Sequence, residues 1–233
     1  MGQLAVRSTP STGLRIKGYV EKSFMVRQAH HERIVLMKIM DCTALILAGG
    51  DSSRMGQDKA ALVLDGKTLL ESVTTTMHSV FPKVIVSVRQ LRTGVDVPQV
   101  RDEHAASGPL AGLAAGMKGA ATPWIFAVAC DMPFIKPAMI EYLAGQRAGH
   151  QAVVPLVRGI PQPLAAFYAT SCREAAEGIL NGEGKHSLRA LLERLSVCYV
   201  SEEQMLAVDP QLRSFFDLDT PQDVAIAMNE VKQ

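Results

Sequence analysis

The chain alternates between apolar runs and amphipathic segments from residue 42 onward. Three runs, CTALILA (42–48), KVIVSV (83–88) and WIFAVAC (124–130), are typical of strands that are covered on both faces. Their β-branched and aromatic residues favour an extended backbone. Three shorter runs predict further strands, over residues 152–157, 164–169 and 215–218.

Segments with helical spacing separate the predicted strands. In residues 67–80, Leu69, Val73, Met77 and Val80 fall near one face of a helix. Further helices are predicted over residues 109–120, 136–148, 170–180, 187–195 and 221–231. The first of these, PLAGLAAGMKGA, is rich in small residues and can therefore approach a sheet closely.

The last predicted helix carries its own start signals. Thr220 is suited to the N-cap, Pro221 to the first helical position, and the acidic Asp223 to the first turn.

The order of these elements predicts the fold class. Strand–helix alternation favours an α/β fold of three layers, with helices on both faces of a mostly parallel, Rossmann-like central sheet. In such sheets, ligands bind beyond the carboxyl ends of the strands, near a switch in strand order. The loop that follows the strand at 42–48 is therefore a candidate for ligand binding.

Composition indicates one large domain and an N-terminal segment that is more basic than the rest of the chain. The chain has 233 residues, 48% of them hydrophobic, which is enough for one sizeable core. Six Lys/Arg and two Glu give residues 1–36 a formal charge of +4, within a total of +1. We expect residues 1–36 to be a flexible basic extension that does not contribute to activity, and residues 37–233 to form the main folded domain. An anchor for anionic surfaces is the alternative, although the apolar residues there are too scattered for an amphipathic helix.

Charge and cysteine usage narrow the functional classes. A net charge near zero gives no indication of nucleic-acid binding. The apolar runs are too short to span a bilayer, so no membrane association is expected. Cys42, Cys130, Cys172 and Cys198 form no closely spaced pair, which favours reduced thiols and a cytoplasmic location.

The segment LAGGDSSRMGQDK, residues 47–59, carries the main candidate chemistry. Gly49 and Gly50 can take positive φ and let the backbone approach a ligand. Their N–H groups can form an anion-binding concavity, and Arg54 and Lys59 add two cations. This combination is what a polyphosphate requires, although a tight turn with solvated charges is the structural alternative.

Two common phosphate motifs do not fit the chain. A Walker A loop that ends at Gly66-Lys67-Thr68 would need a glycine at position 61, which is Ala61. The dinucleotide fingerprint G-x-G-x-x-G does not match Gly49, Gly50 and Gly56. The phosphate loop therefore belongs to another class.

Asp131 is the candidate metal ligand. It follows the apolar run WIFAVAC and precedes Met132-Pro133. A carboxylate at the carboxyl end of a buried strand suits Mg²⁺, which takes one or two protein carboxylates together with phosphates and water. The alternative is a helix N-cap, which Pro133 and Pro137 make awkward.

Five segments in order resemble the MobA-like nucleotidyltransferases that make dinucleotide forms of the molybdenum cofactor. The segment LAGGDSSRMGQDK resembles their signature L-A-G-G-x-S-x-R-M-G-x-D-K. The resemblance continues through four further segments: VLDGKTLLE (63–71), VRDEHAASGPLAGLAAG (100–116), VACDMPFI (128–135) and DLDTPQD (217–223). It covers residues 42–229 and is greatest with the guanylyltransferases.

The resemblance implies a nucleotidyltransferase fold and an activity: transfer of GMP from GTP to molybdopterin, with release of pyrophosphate and Mg²⁺ as cofactor. It implies catalytic roles for Lys59, Arg54 and Asp131. It also implies nucleotide contacts by the following residues, in addition to Lys59 and Asp131: Leu47, Ala48, Gly49, Gly50, Ser87 and Asp102. Ser87 stands where a guanylyltransferase presents an asparagine, and its hydroxyl can replace part of that hydrogen bonding.

The residues that would bind the second substrate, molybdopterin, have a weaker sequence signal than those of the nucleotide site. By resemblance, Asp217 and Asp219 lie near the pterin substrate, although relatives often carry asparagine there. Arg158, Lys185 and Arg189 lie in predicted loops or at their ends, and are candidates for the phosphate of the second substrate, with a solvated surface as the equal alternative. Proteins that insert molybdenum and the molybdoenzymes that accept the product are the expected transient partners.

Two other functions remain open at the level of the sequence. The first is cytidylyl transfer to the same acceptor, or nucleotidyl transfer onto a sugar phosphate, on a similar fold. Gly49-Gly50 favours guanylyl transfer, since the cytidylyl relatives tend to read L-A-A-G. The second is a non-catalytic nucleotide-binding module, which the presence of both Lys59 and Asp131 disfavours.

Overall fold

The computed structural model describes residues 38–49, 58–102 and 108–231. Within these ranges the helices are α1 (Leu69–Val80), α2 (Gly108–Gly119), α3 (Pro137–Ala144), α4 (Arg173–Leu180), α5 (Leu188–Leu192), α6 (Glu202–Leu206) and α7 (Pro221–Val231). The strands are β1 (Cys42–Leu47), β2 (Val63–Leu64), β3 (Lys67–Thr68), β4 (Lys83–Val88), β5 (Gln99–Arg101), β6 (Trp124–Ala129), β7 (Ala152–Val157), β8 (Ile160–Pro161), β9 (Ala165–Ala169) and β10 (Val197–Val200). The 3-10 turns are Lys59–Ala61, Thr170–Cys172 and Arg213–Phe215.

One mixed sheet forms the middle layer, in the order β10-β7-β9-β6-β1-β4-β5. β1 pairs in parallel with both β4 and β6, and β9 lies antiparallel between β6 and β7. The chain proceeds from β1 to β4 and β5, and then returns to the other side of β1 with β6. The strand order therefore reverses between β1 and β6, and the predicted α/β fold with a mostly parallel sheet is confirmed.

Successive residues of β1 point to opposite faces of the sheet and meet different helices. Leu45 packs in a cluster with Leu110 and Leu113 of α2. Ala44 and Ile46 pack in a second cluster, which contains the apolar faces of α1 and α3. Since β1 is buried on both faces, a continuous apolar run was the correct pattern to expect for this strand.

Helix α7 begins as its sequence predicts. The Asp223 carboxylate accepts a hydrogen bond from the Thr220 backbone N–H at 2.7 Å, and the Asp223 N–H donates to Thr220 Oγ1 at 3.3 Å. This reciprocal cap leaves Pro221 at the first helical position, where its missing N–H costs nothing.

The strand predicted at 215–218 is wrong. The 3-10 turn Arg213–Phe215 occupies its first residue, and Leu218 donates one backbone hydrogen bond to the Asp131 carbonyl oxygen at 3.0 Å instead of pairing along a strand. Leu218 is buried in a small cluster with Leu64 and Leu69. A short apolar run indicates that a segment is buried, but not that it forms a strand. Here the segment is buried by side-chain packing and not by pairing in a sheet.

Three further expectations concern the extension, the cysteines and membrane association. The predicted extension at residues 1–36 lies outside the described residues, so the division of the chain at this point stays a prediction. The four cysteines lie within the described ranges and are unpaired. Among the described residues, no helix has both the length and the apolar character that a membrane crossing requires.

Helix α2 approaches the sheet as closely as its small residues predict. A Cβ atom on Gly116 would lie 2.3 Å from Leu45 Cδ2, and one on Gly112 would lie 2.9 Å from Ser87 Oγ. Glycine at these two positions therefore lets the backbone of α2 pack directly against β1 and β4.

We expect Gly116→Ala to destabilise the fold by about 1–3 kcal/mol, because the added methyl group overlaps Leu45 in a filled core. Gly178→Ala in α4 is the matched control, since a Cβ there would come no closer than 4.0 Å to Arg194. The control is expected to be neutral or to stabilise the fold by up to about 1 kcal/mol through helix propensity. Urea unfolding of the two variants measures the difference, and equal effects would contradict close packing at Gly116.

Candidate functional site

A cleft of about 350 Å³ opens at the carboxyl ends of β1, β4 and β6. It lies at the reversal of strand order, where open α/β sheets bind their ligands. The residues after β1, the start of α2, and the segments after β6 and before α7 form its walls. Nine residues of the predicted site line it: Leu47, Ala48, Gly49, Lys59, Ser87, Asp102, Asp131, Asp217 and Asp219.

Backbone hydrogen bonds hold the strand ends at one level. Leu47 is in register with Ser87 of β4 and with Ala129 of β6. The Ala48 N–H donates to the Ser87 carbonyl oxygen at 2.9 Å, and the Cys130 N–H donates to the Leu47 carbonyl oxygen at 3.1 Å. The segments that carry the candidate cations and acids therefore leave the sheet side by side.

Part of the predicted phosphate loop lies outside the described residues. Gly50 and Arg54 belong to this part, so their predicted roles stay predictions. Gly49 is described, and its φ lies outside the left-handed region, so it does not use the positive φ that glycine permits. A Cβ on Gly49 would lie 3.4 Å from Arg89 Cγ. That is an ordinary van der Waals distance, so crowding does not require glycine at this position.

Lys59 joins two acidic segments at the floor of the cleft. Asp58 precedes it and caps the 3-10 turn, with Oδ1 accepting the Ala60 N–H at 3.1 Å. Lys59 Nζ donates to Asp131 Oδ2 at 2.9 Å and also to Asp219 Oδ1. Residues that are 72 and 160 positions away from Lys59 thus meet at one ammonium group.

The local charges set the pKa values in the cleft. Burial lowers the pKa of Lys59, but the hydrogen bonds to Asp131 and Asp219 outweigh this effect and raise the pKa above its ordinary value. Burial raises the pKa of Asp217, and the nearby charge of Asp219 raises it further. Lys59 therefore stays charged at neutral pH. The cleft is also lined by more aspartates than lysines.

The carboxylates fit a divalent cation that binds together with phosphate. Asp131 and Asp219 converge on a single cation, since both contact the same ammonium group. Within the described ranges, no group of three His, Cys, Asp or Glu side chains is arranged as a complete metal site. Mg²⁺ in phosphate-binding sites uses one or two protein carboxylates, and substrate oxygens and water supply the other ligands.

The segment with Asp217 and Asp219 is fixed from both sides. Its backbone is tied to the Asp131 carbonyl oxygen through the hydrogen bond of Leu218 described above. Upstream, the fully buried Asp209 accepts hydrogen bonds from Lys136 Nζ at 2.6 Å and from the Ser214 N–H at 2.7 Å. This network connects the segment before α7 to the loop after β6.

The three basic residues predicted for the acceptor do not line the cleft. Arg158 lies in a neighbouring depression of about 620 Å³, which shares Gln162 and Phe215 with the cleft. Arg189 is 90% exposed and forms an ion pair with Glu193, four residues further on, at 3.6 Å. Lys185 lies in the loop before α5 and is not among the residues that line the cleft.

Comparisons with known proteins agree with this geometry. Residues 44–198 match the model of the MobA-like NTP transferase domain. The chain belongs to the MobA-like NTP transferase family.

Members of this family are similar to the chain over most of its length. A probable molybdenum cofactor guanylyltransferase of Pelotomaculum thermopropionicum is 37% identical over 193 residues, which cover 81% of this chain and 93% of the relative. The molybdenum cofactor guanylyltransferase of Desulfosudis oleivorans is 34% identical over 194 residues, which cover 82% and 96%. The predictions of this family and of a nucleotidyltransferase enzyme are confirmed.

Solved structures show the same fold. Molybdopterin-guanine dinucleotide biosynthesis protein A of Archaeoglobus fulgidus superposes with a TM-score of 0.73 at 30% identity, covering 82% of this chain and 98% of that one. A 2-C-methyl-D-erythritol 4-phosphate cytidylyltransferase of Thermus thermophilus reaches a TM-score of 0.61 at 20% identity, covering 84% and 100%. The second likeness is evidence of the fold alone.

Sequence analysis missed several residues of this MobA-like site. Arg92 contacts both Asp58 and the Ala48 carbonyl oxygen, and Gln162 lines the cleft. The buried Asp209 forms an ion pair with the partly exposed Lys136, and this pair supports the acidic segment. The apolar surroundings of Asp209 gave no motif, and Arg92 has no local pattern that separates it from a solvated arginine.

We expect Asp209→Asn to lower the free energy of unfolding by about 1–3 kcal/mol, because a buried hydrogen-bonded carboxylate is lost. Burial alone would raise the pKa of Asp209, but the hydrogen bonds from Lys136 and Ser214 hold it below its ordinary value. The unfolded chain therefore binds this proton more tightly than the folded state. The contribution of Asp209 is complete above about pH 4 and is lost as the pH falls through the lowered pKa of the folded state.

Urea unfolding between about pH 3 and pH 7 measures this difference. The acid-side loss of stability is expected to be smaller in Asp209→Asn than in the unmodified protein. Asp41→Asn is the control, since Asp41 is exposed and forms one surface ion pair with Arg147 at 3.1 Å. An unchanged profile in Asp209→Asn would contradict a structural role for the buried carboxylate.

Proposed function

We propose that this protein transfers GMP from GTP to molybdopterin, giving the guanine dinucleotide form of the cofactor and pyrophosphate. The observation that carries the proposal is the meeting of Lys59 with Asp131 and Asp219 at the reversal of strand order. Family membership and relatives named molybdenum cofactor guanylyltransferase support the choice of substrates. The unpaired cysteines fit a cytoplasmic site of action.

The reaction needs no nucleophile from the protein. A phosphate oxygen of molybdopterin attacks the α-phosphorus of GTP, a new P–O bond forms, and the bond to the bridging oxygen breaks with its electron pair leaving on pyrophosphate. Cys130 lines the cleft, but burial raises the pKa of its thiol to about 12, so the thiol stays protonated at neutral pH. The barrier is repulsion between anions, and the protein lowers it by positioning and charge neutralisation.

Lys59 is placed to neutralise charge that develops on the departing pyrophosphate. An ammonium group has three N–H donors, and Asp131 and Asp219 use two of them. The third can bind a phosphate oxygen while the carboxylates keep the side chain in place. Its raised pKa keeps the ammonium group charged through the reaction.

Asp131 and Asp219 are the residues that would hold Mg²⁺. When bound, the cation would neutralise negative charge on phosphate oxygens and so add to the effect of Lys59. Asp102 and Ser87 line the nucleotide side of the cleft, with Leu47 and Ala48 at the end of β1. Arg54, in the same loop as Lys59, is proposed as a second phosphate-binding cation.

We place the acceptor in the depression next to the cleft. This depression contains Arg158 and Arg213, and Phe215 and Gln162 connect it with the cleft. Basic and aromatic side chains suit a ring system that carries a phosphate. Lys185 and Arg189 line neither the cleft nor the depression and are weaker candidates for this role.

Pyrophosphate release tests the proposal directly. The purified protein is incubated with GTP, CTP, ATP or UTP, each with and without molybdopterin and Mg²⁺. We expect release with GTP when both molybdopterin and Mg²⁺ are present. Preference for CTP would favour cytidylyl transfer, release with a sugar phosphate in place of molybdopterin would favour the other transferase class, and nucleotide binding without release would indicate a non-catalytic module.

Lys59→Ala is expected to lower kcat by about a hundredfold or more, because a charge directed at the leaving group is lost. The free energy of unfolding is expected to change by less than about 1 kcal/mol, since Asp219 is 45% exposed and both carboxylates keep contact with water. Steady-state pyrophosphate release and urea unfolding give the two numbers. Lys83→Ala, at an exposed lysine on the opposite end of β4, is the control. Full activity of Lys59→Ala would refute the assignment.

A further inference from the structure

We propose that Arg92 is a positioning residue that fixes Lys59 by tying Asp58 to the end of β1. The proposal rests on the nucleotidyl transfer proposed above and assigns a role to a residue outside the phosphate motif. Arg92 lies in the turn between β4 and β5, more than thirty positions from Asp58 in the sequence.

The guanidinium group of Arg92 contacts the two described segments that flank the phosphate loop. Nη1 and Nη2 donate to different oxygens of the Asp58 carboxylate, with Nη2 at 2.9 Å from Oδ1. Nη2 also donates to the Ala48 carbonyl oxygen at 3.2 Å. Ala48 directly follows β1, and Asp58 directly precedes Lys59. The planar fork of one arginine therefore sets the spacing between the end of β1 and the lysine.

Arg92 is itself held by a single side chain of the sheet. The Gln99 side-chain amide accepts a hydrogen bond from the Arg92 N–H at 2.8 Å and donates one to the Arg92 carbonyl oxygen at 2.8 Å. Gln99 is the first residue of β5, which pairs in parallel with β4. A continuous series of hydrogen bonds thus connects β5, through Gln99 and Arg92, to Asp58.

Asp58 transmits this position to Lys59. The oxygen that accepts from Arg92 Nη2 also accepts the Ala60 N–H and so caps the turn that carries Lys59. The hydrogen bond from Arg92 lowers the pKa of Asp58, so the carboxylate stays charged at neutral pH. Loss of either partner leaves the turn without its lateral support and lets Lys59 leave its place between Asp131 and Asp219.

The exposure of the Arg92–Asp58 pair implies that its loss affects catalysis more than the stability of the fold. The Arg92 and Asp58 side chains are 25% and 49% exposed, and ion pairs with this much contact with water contribute little to folding. A misplacement of about 1 Å at a catalytic group, in contrast, can cost about a hundredfold in rate. Arg92 is not among the described residues that line the cleft, so its effect on catalysis passes through Asp58 and Lys59.

Kinetics of the full chain test the proposal through Arg92→Met, Arg92→Lys, Asp58→Asn and the double variant Arg92→Met/Asp58→Asn. Each of Arg92→Met and Asp58→Asn is expected to lower kcat/KM for GTP by about 10- to 100-fold, with the KM for molybdopterin and the thermal midpoint unchanged. The double variant is expected to lose no more than the more impaired single variant, because the two residues act as one unit. Arg92→Lys keeps the charge but not the fork, and is expected to recover only part of the loss.

Arg173→Met is the matched control, since it breaks a surface pair with Glu177 at 3.5 Å that is far from the motif segments in the sequence. It is expected to behave as the unmodified protein. Three outcomes would overturn the proposal: kinetics of Arg92→Met equal to those of the control, additive losses in the double variant, or a loss of activity that follows a loss of thermal stability.

Amide hydrogen exchange gives a readout that does not depend on turnover. The Ala60, Ala61 and Leu62 amides bond within the capped turn. We expect Arg92→Met to speed their exchange by about threefold or more, with the amides of β4 unchanged. If the unmodified protein releases no pyrophosphate with any nucleotide, the proposed function is refuted. Amide hydrogen exchange then still tests whether Arg92 positions the turn that carries Lys59. Unchanged exchange in this turn would overturn the positioning role.

Discussion

The site depends on charge compensation around one ammonium group. Lys59 holds Asp131 and Asp219 together, and all three side chains keep some contact with water, so this compensation acts more on the position of the charges than on the stability of the fold. The loop after β1, the loop after β6 and the segment before α7 meet where this compensation occurs. A nucleotidyltransferase that uses no covalent intermediate can act through such an arrangement, because its task is to neutralise and orient phosphate groups.

The rest of the fold brings these segments together and keeps them in place. Hydrogen bonds at the ends of β1, β4 and β6 set the floor of the cleft, and the glycines of α2 allow that helix to pack directly on the sheet beside it. The buried Asp209 accepts hydrogen bonds from Lys136 and from Ser214 and so ties the segment before α7 to the loop after β6. The geometry of the cleft thus depends on backbone hydrogen bonds, close helix packing and a buried carboxylate as well as on the charged residues that line it.

Much of the fold was predictable, because local sequence patterns identify most of its helices and strands. The apolar runs of β1, β4 and β6 are buried on both faces, and α7 has a complete set of cap residues, so pattern and structure agree. β5 and β10 were missed because each is a short strand at the edge of the sheet: β5 (QVR) has a single apolar residue, and β10 (VCYV) is apolar but has only four residues. The segment 215–218 was mistaken for a strand because Leu218 is buried by side chains rather than by pairing.

For the site, the sequence by itself determined the residues that carry charge next to strand ends. Lys59 follows a glycine-rich loop and Asp131 follows a buried strand, and both signals lie within a few residues of the chain. Only the tertiary structure decided which residues support them, since Arg92, Gln99 and Asp209 act through partners that are distant in sequence. The sequence around a side chain does not show which residue of a distant element will be its hydrogen-bond partner. These supporting residues can therefore be identified only in the folded structure.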